Sequence, residues 1–141
     1  MRHLLLAAGL ALLLPIASPA AERQSAKPNF SGTWVIDLSR SDPGPLPAPE
    51  SLEAVIEHKD PTIISTLTQK SASGVVTSRT TITTDGQENR NTVATETGED
   101  VVTSTCRWNG TELVISATLT LQGVPIRVTE HWNLSEDRAR L

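Results

Sequence analysis

The chain has 141 residues, 38% of them apolar, 20% charged and 3% aromatic, with a formal charge of −4 and one cysteine. That length suits one ordinary domain. The acidic balance argues against a nucleic-acid partner or an electrostatically held membrane partner, since both need clustered Lys and Arg, and a lone Cys106 excludes an intramolecular disulfide.

Arg2 and His3 precede Leu4–Leu14, an unbroken run of Leu, Ala and Gly that Pro15 ends. Ser18-Pro19-Ala20 sets small residues at the positions a signal peptidase reads. Residues 1–20 are therefore expected to be a secretory signal peptide cleaved after Ala20. The run falls short of the roughly 20 residues that span a bilayer, and no Cys at the cleavage site offers a lipid anchor. Cleavage removes one charge, Arg2, so the remainder is more acidic. Its apolar share drops well below the roughly 45–50% of ordinary globular domains. Its apolar residues are nevertheless patterned, which argues against disorder.

Residues 21–29 are polar and expected to be flexible, and a single domain is expected over 30–141. It opens with Phe30-Ser31-Gly32-Thr33-Trp34-Val35-Ile36. Pro43, Pro45, Pro47 and Pro49 then crowd Asp42–Glu50, forbidding helix and central strand. A stiff, extended connection that serves as a lid or rim is expected there.

From Leu52 onward the dominant period is two. Leu52, Ala54, Ile56 and His58 share one face, as do Val102, Ser104, Cys106 and Trp108. Leu113, Ile115, Ala117, Leu119 and Leu121 form the cleanest apolar face. Val124, Ile126 and Val128 form another, which continues through Glu130 to Trp132. Val75–Thr84 is almost entirely Val, Thr, Ser and Ile, which favours strand. Asp85-Gly86 and Asn109-Gly110 suit type I′ hairpins. Asp60-Pro61, Ser73-Gly74, Thr97-Gly98 and Gln122-Gly123 are weaker turn signals. The pattern predicts an all-β, antiparallel, up-and-down meander of eight or nine strands, closing into a small barrel to remove its edges. An outer-membrane barrel needs two aromatic girdles, which four aromatic residues cannot supply.

Several segments resemble a group of uncharacterised secreted bacterial lipocalin-like proteins of the calycin type. They are Phe30–Trp34, Ser39-Arg40-Ser41-Asp42 with the proline stretch, Ile56–Pro61, Thr84-Asp85-Gly86, Trp108–Leu113 and Trp132-Asn133-Leu134-Ser135. The resemblance implies a lipocalin-like barrel in which Trp34 closes one end, covered by an arginine, Arg138 or Arg140. The family pattern continues past Ser135 into a further apolar strand, where this chain reads Arg138-Ala139-Arg140-Leu141. The last strand is thus expected to be missing, or the barrel to close differently.

Candidate ligand-binding residues are Trp34, Trp108, Glu130 and Trp132. Core packing is the simpler role for each Trp, and a water-exposed rim the simpler place for Glu130. His58 and Asp60 with Glu130 and His131 make a conceivable zinc set, but their spacing repeats no recognised site and no metal or cofactor is expected. Cys106 lies mid-strand with nothing evident to activate it, no Gly-x-Ser-x-Gly elbow occurs, and catalysis is not expected. Asn29, Asn109 and Asn133 begin glycosylation patterns that matter only in a eukaryotic host. The expected function is burial of a small apolar or amphipathic molecule in a Thr/Ser-lined cavity, in the periplasm or outside the cell. The alternative is a non-catalytic envelope protein-interaction module that uses an open strand edge.

Overall fold

The computed structural model describes residues 26–41, 48–121 and 123–141. The expected signal peptide and most of the proline stretch lie outside the described residues. Eight strands follow in chain order: β1 (Gly32–Val35), β2 (Ser51–Lys59), β3 (Thr62–Ser71), β4 (Gly74–Thr83), β5 (Asp85–Thr95), β6 (Gly98–Asn109), β7 (Glu112–Leu121) and β8 (Val124–Trp132). A single 3-10 turn, Leu38–Arg40, interrupts them. β1–β4 form one antiparallel sheet in sequential order and β5–β8 form the other.

The two-residue periodicity sets the faces. Residues directly opposite one another in a ladder share a face, so the pairs Ile56↔Ser65, His58↔Ile63 and Ile63↔Ile82 place one inner face on the first sheet. Cys106↔Ile115, Trp108↔Leu113 and Leu113↔Trp132 do the same on the second. The two inner faces meet in one cluster of Phe30, Ile56, Ile63, Cys106, Leu113 and Ile115, edged by Trp34, Ala54, Ile82, Trp108, Trp132 and Leu134. Each fully buried aliphatic or Phe side chain contributes roughly 1.5–3 kcal/mol. So small a core must stabilise eight strands.

Asn109-Gly110 and Asp60-Pro61 fall at turns, those near Ser73 and Thr97 begin one residue earlier than expected, and Gln122 lies outside the described residues. Gly110, at φ 64°, takes the left-handed conformation between β6 and β7, which costs glycine nothing. Asp85-Gly86 makes no hairpin loop. It opens β5, where the register with β6 shifts between Asp85 and Glu88. This bulge turns the chain through a corner at buried Thr84, whose N–H donates to the Pro61 carbonyl (2.8 Å).

The sheets do not close into a barrel. Among the described residues no backbone ladder joins β4 to β5, or β8 to β1. Side chains cross the first gap instead. The Asn91 amide accepts from the Thr81 N–H (2.8 Å) and donates to the Thr81 carbonyl (3.0 Å), the two bonds a neighbouring strand's peptide would make. Asn89 Oδ1 accepts from the Thr83 N–H (3.1 Å), and the Ser78 hydroxyl donates to the Ala94 carbonyl (2.9 Å). These side chains stand in for ladder bonds at Thr81, Thr83 and Ala94. At the other gap β1 is only four residues long against nine in β8. Beyond β8, residues 133–141 form no strand. Leu134 packs on the core, and a turn follows in which the Ser135 N–H donates to the Arg140 carbonyl (3.0 Å).

Replacing Asn89 and Asn91 together by Ala is expected to speed hydrogen exchange at the Thr81 and Thr83 amides by about tenfold or more. Amides within the β6–β7 ladder should be unaffected, as native-state exchange can show.

Candidate functional site

The residues singled out in the sequence converge on one end of the molecule, around Phe30. Its ring is fully buried and stacks on His58 (centroids 5.6 Å apart, planes 12°) and on Trp108 (5.8 Å, 14°). Trp132 meets it edge-on at 5.6 Å. The Trp34 indole N–H donates to the Phe30 carbonyl (2.9 Å). All three Trp residues are half-buried and reach the same Phe, each from its own strand. Phe30 thus fills the space between the sheets at this end, and Trp34, Trp108 and Trp132 pack against the core there. Glu130 is exposed beside Trp132, whose indole N–H donates to its Oε2 (2.9 Å).

Residues 21–25 of the expected flexible segment lie outside the described residues, and the chain from Asn29 into β1 is tied at several points. The Phe30 N–H donates to His58 Nδ1 (3.2 Å), and the Asn29 amide donates to the His58 carbonyl (3.1 Å). The Ser31 hydroxyl accepts from the His58 N–H (2.9 Å) and donates to the His58 carbonyl (3.3 Å). One residue of β2 therefore holds the chain as it enters β1.

Because Nδ1 accepts, the proton of a neutral His58 sits on Nε2. Nε2 is buried without a hydrogen-bond partner, 3.7 Å from Asp60 Oδ1 and so beyond bonding reach. Asp60 is committed elsewhere. The Thr84 hydroxyl (2.7 Å) and the Trp108 indole (3.3 Å) both donate to Oδ1, and Lys27 Nζ lies 3.8 Å from Oδ2. Lys27 also sits 5.3 Å above the Trp108 ring, a cation–π contact. Among the described residues this is the cation on an indole, rather than Arg138 or Arg140 over Trp34, and both of those arginines are exposed.

The Thr84 hydroxyl chiefly, then Trp108, Lys27 and His58, hold the Asp60 carboxyl below its ordinary range. Burial foremost, then the charges of Asp60, Asp85 and Glu130, push the Cys106 thiol up to about 11. A thiol so raised is a poor nucleophile at neutral pH.

The conceivable zinc set does not assemble. His58 lies on the inner face, whereas exposed His131 pairs with Glu112 at 3.3 Å on the outer face of β8. Among the described residues no group of three or more His, Cys, Asp or Glu is placed to hold a metal, and no helix is long and apolar enough to cross a membrane.

Away from Phe30 the inner faces continue with smaller side chains. Leu67, Val76, Val102, Leu119, Ile126 and Val128 point the same way as the core residues yet remain only half-buried. Ser65, Ser78 and Thr80 lie among them. The sequence reading missed this segregation and singled out aromatic residues that the core consumes. The available signal was that the chain's one Phe stands next to its Gly-x-Trp. Comparison with protein-family models, with curated proteins and with solved structures finds no match.

Asp60 provides the pH test. A carboxyl that binds its proton less readily folded than unfolded stabilises fully above the unfolded value near 3.9, and that stability is lost as pH falls through the lower, folded value. Asp60 is half exposed, so its charged contacts are expected to be worth about 1 kcal/mol or less. Asp60→Asn should melt lower than the parent at pH 7, and thermal scans should show the two converging as the pH falls through the lowered carboxyl value. A gap independent of pH would contradict this role.

Proposed function

We propose that the protein is a secreted or periplasmic carrier. It takes a small amphipathic molecule against the inner faces of its two sheets, beyond the Phe30 end. The observation that carries this reading is the run of half-buried apolar side chains, from Leu67 and Val76 to Leu119 and Ile126, aligned with the core but left open to water. Such a surface gains from covering apolar area, while Ser65, Ser78 and Thr80 supply a few polar groups to orient the cargo. The signal-peptide pattern of residues 1–20 supports export. The lipocalin-like motifs support the same mode of action, with two open sheets in place of a closed barrel. Trp34, Trp108 and Trp132 then form the solid floor of the site and Glu130 its rim.

A second reading rests on the β8 edge. No strand pairs with it among the described residues, and Val124 is 60% exposed there. An open edge suits strand addition by a protein partner.

Native mass spectrometry of protein purified from periplasm without detergent separates the two. The carrier reading predicts a solvent-extractable adduct that Leu119→Lys abolishes with little change in the unfolding midpoint. A bare dimer in both proteins would favour the edge.

A further inference from the structure

The outer face of the second sheet carries a polar depression of about 340 Å³, lined by Glu88, Thr103, Thr105, Ser116, Thr118 and Arg127. Register puts these residues together: Glu88↔Thr105↔Ser116 form one row, and Thr103↔Thr118↔Arg127 the next. The four hydroxyl residues are half-buried although they point away from the core, whereas Glu88 and Arg127 are exposed. The sheet is therefore hollowed along β6 and β7, with opposite charges on its flanking strands. Among the described residues neither Glu88 nor Arg127 forms an ion pair. The four hydroxyls likewise make no hydrogen bond to another described group.

We propose that this hollow is a binding site for a short zwitterionic peptide, with its ammonium at Glu88 and its carboxylate at Arg127. The charges are complementary to a molecule with two opposite ends and offer little to one of a single sign. The floor matches a peptide backbone, since each hydroxyl both donates and accepts and can meet an N–H or a carbonyl. Length selects the size. Glu88 and Arg127 stand three strand spacings apart across the sheet and two residues apart along it, about 16 Å between Cα atoms, and an extended peptide rises about 3.4 Å per residue. With both side chains standing off the sheet, that span suits an extended tripeptide, about 10 Å between its charged ends with about 3 Å of hydrogen bond at each, and leaves a single amino acid too short. The site lies on the face opposite the proposed carrier surface, so either can fail without the other.

Titration of the mature protein with Ala-Ala-Ala, followed by amide chemical shifts and calorimetry, tests the assignment. Saturable binding is expected, with shifts centred on Thr103, Thr105, Ser116 and Thr118. Acetylating the peptide amine or making Glu88→Gln should each weaken binding about tenfold, the scale of one charge-assisted hydrogen bond. Amidating the peptide carboxylate or making Arg127→Gln should do the same. Combining N-acetylation with Glu88→Gln should cost little more than either alone, because both remove one contact. Absence of saturable shifts at tens of millimolar, shifts centred elsewhere, or equal binding of doubly blocked peptide would each overturn the proposal. Both variants alter exposed side chains, and an otherwise unchanged amide spectrum confirms that they fold.

Discussion

The structure depends on one buried ring. Phe30 belongs to neither ladder, yet it stacks on His58 of the first sheet and on Trp108 of the second, and Trp132 closes over its edge. Aromatic pairs of this kind are worth about 0.5–1.5 kcal/mol each beyond the area they bury. In a chain with four aromatic residues, all four gather here. The backbone around the ring is fixed with equal care, since His58 engages Asn29, Phe30 and Ser31 through its carbonyl, N–H and Nδ1. The cost is an unpartnered His58 Nε2 facing a carboxylate already occupied by Thr84, Trp108 and Lys27. A buried polar group left in that state costs about 1–3 kcal/mol, which the surrounding ring contacts must offset.

Concentrating the bulk at one end has a consequence at the other. The strands run on, but among the described residues no further aromatic side chain lies between them. The inner faces there carry Leu67, Val76, Leu119 and Ile126 beside Ser and Thr, half-covered. The same economy accounts for the open architecture. Asn89 and Asn91 bond the Thr81 and Thr83 backbone of β4 with side chains, so the two sheets meet at a stitched seam. That seam and the Phe30 cluster are what join the sheets, and the proposed carrier surface lies beyond that cluster.

Much of this was legible in the sequence. Alternation alone placed Ile56 with His58, Cys106 with Trp108, and Leu113 with Ile115 on common faces, because a strand has no other period. Asn109-Gly110 marked its hairpin because a left-handed residue is needed there. Closure into a barrel was inferred from the need to remove strand edges, but an Asn side chain can imitate a strand's peptide, and period two is blind to that substitution. The cue was compositional: Asn is depleted in strands, and Asn89 and Asn91 stand two apart within one. The Trp residues were identified but their common partner was not, since a ring contact between residues 30, 58, 108 and 132 leaves no local trace. Neither the uncovered distal inner faces nor the hollow on the outer face could be read, because alternation tells which way a side chain points and not what covers it.

The central claim is that Phe30 holds the two sheets together. Urea unfolding of Phe30→Ala, combined with hydrogen exchange resolved by strand, tests it most directly. A loss of about 3–5 kcal/mol is expected, the usual cost of emptying a buried Phe site, with protection falling together in β2–β3 and β6–β7. A loss below about 1 kcal/mol, or protection lost in the first sheet while the second keeps its own, would contradict it.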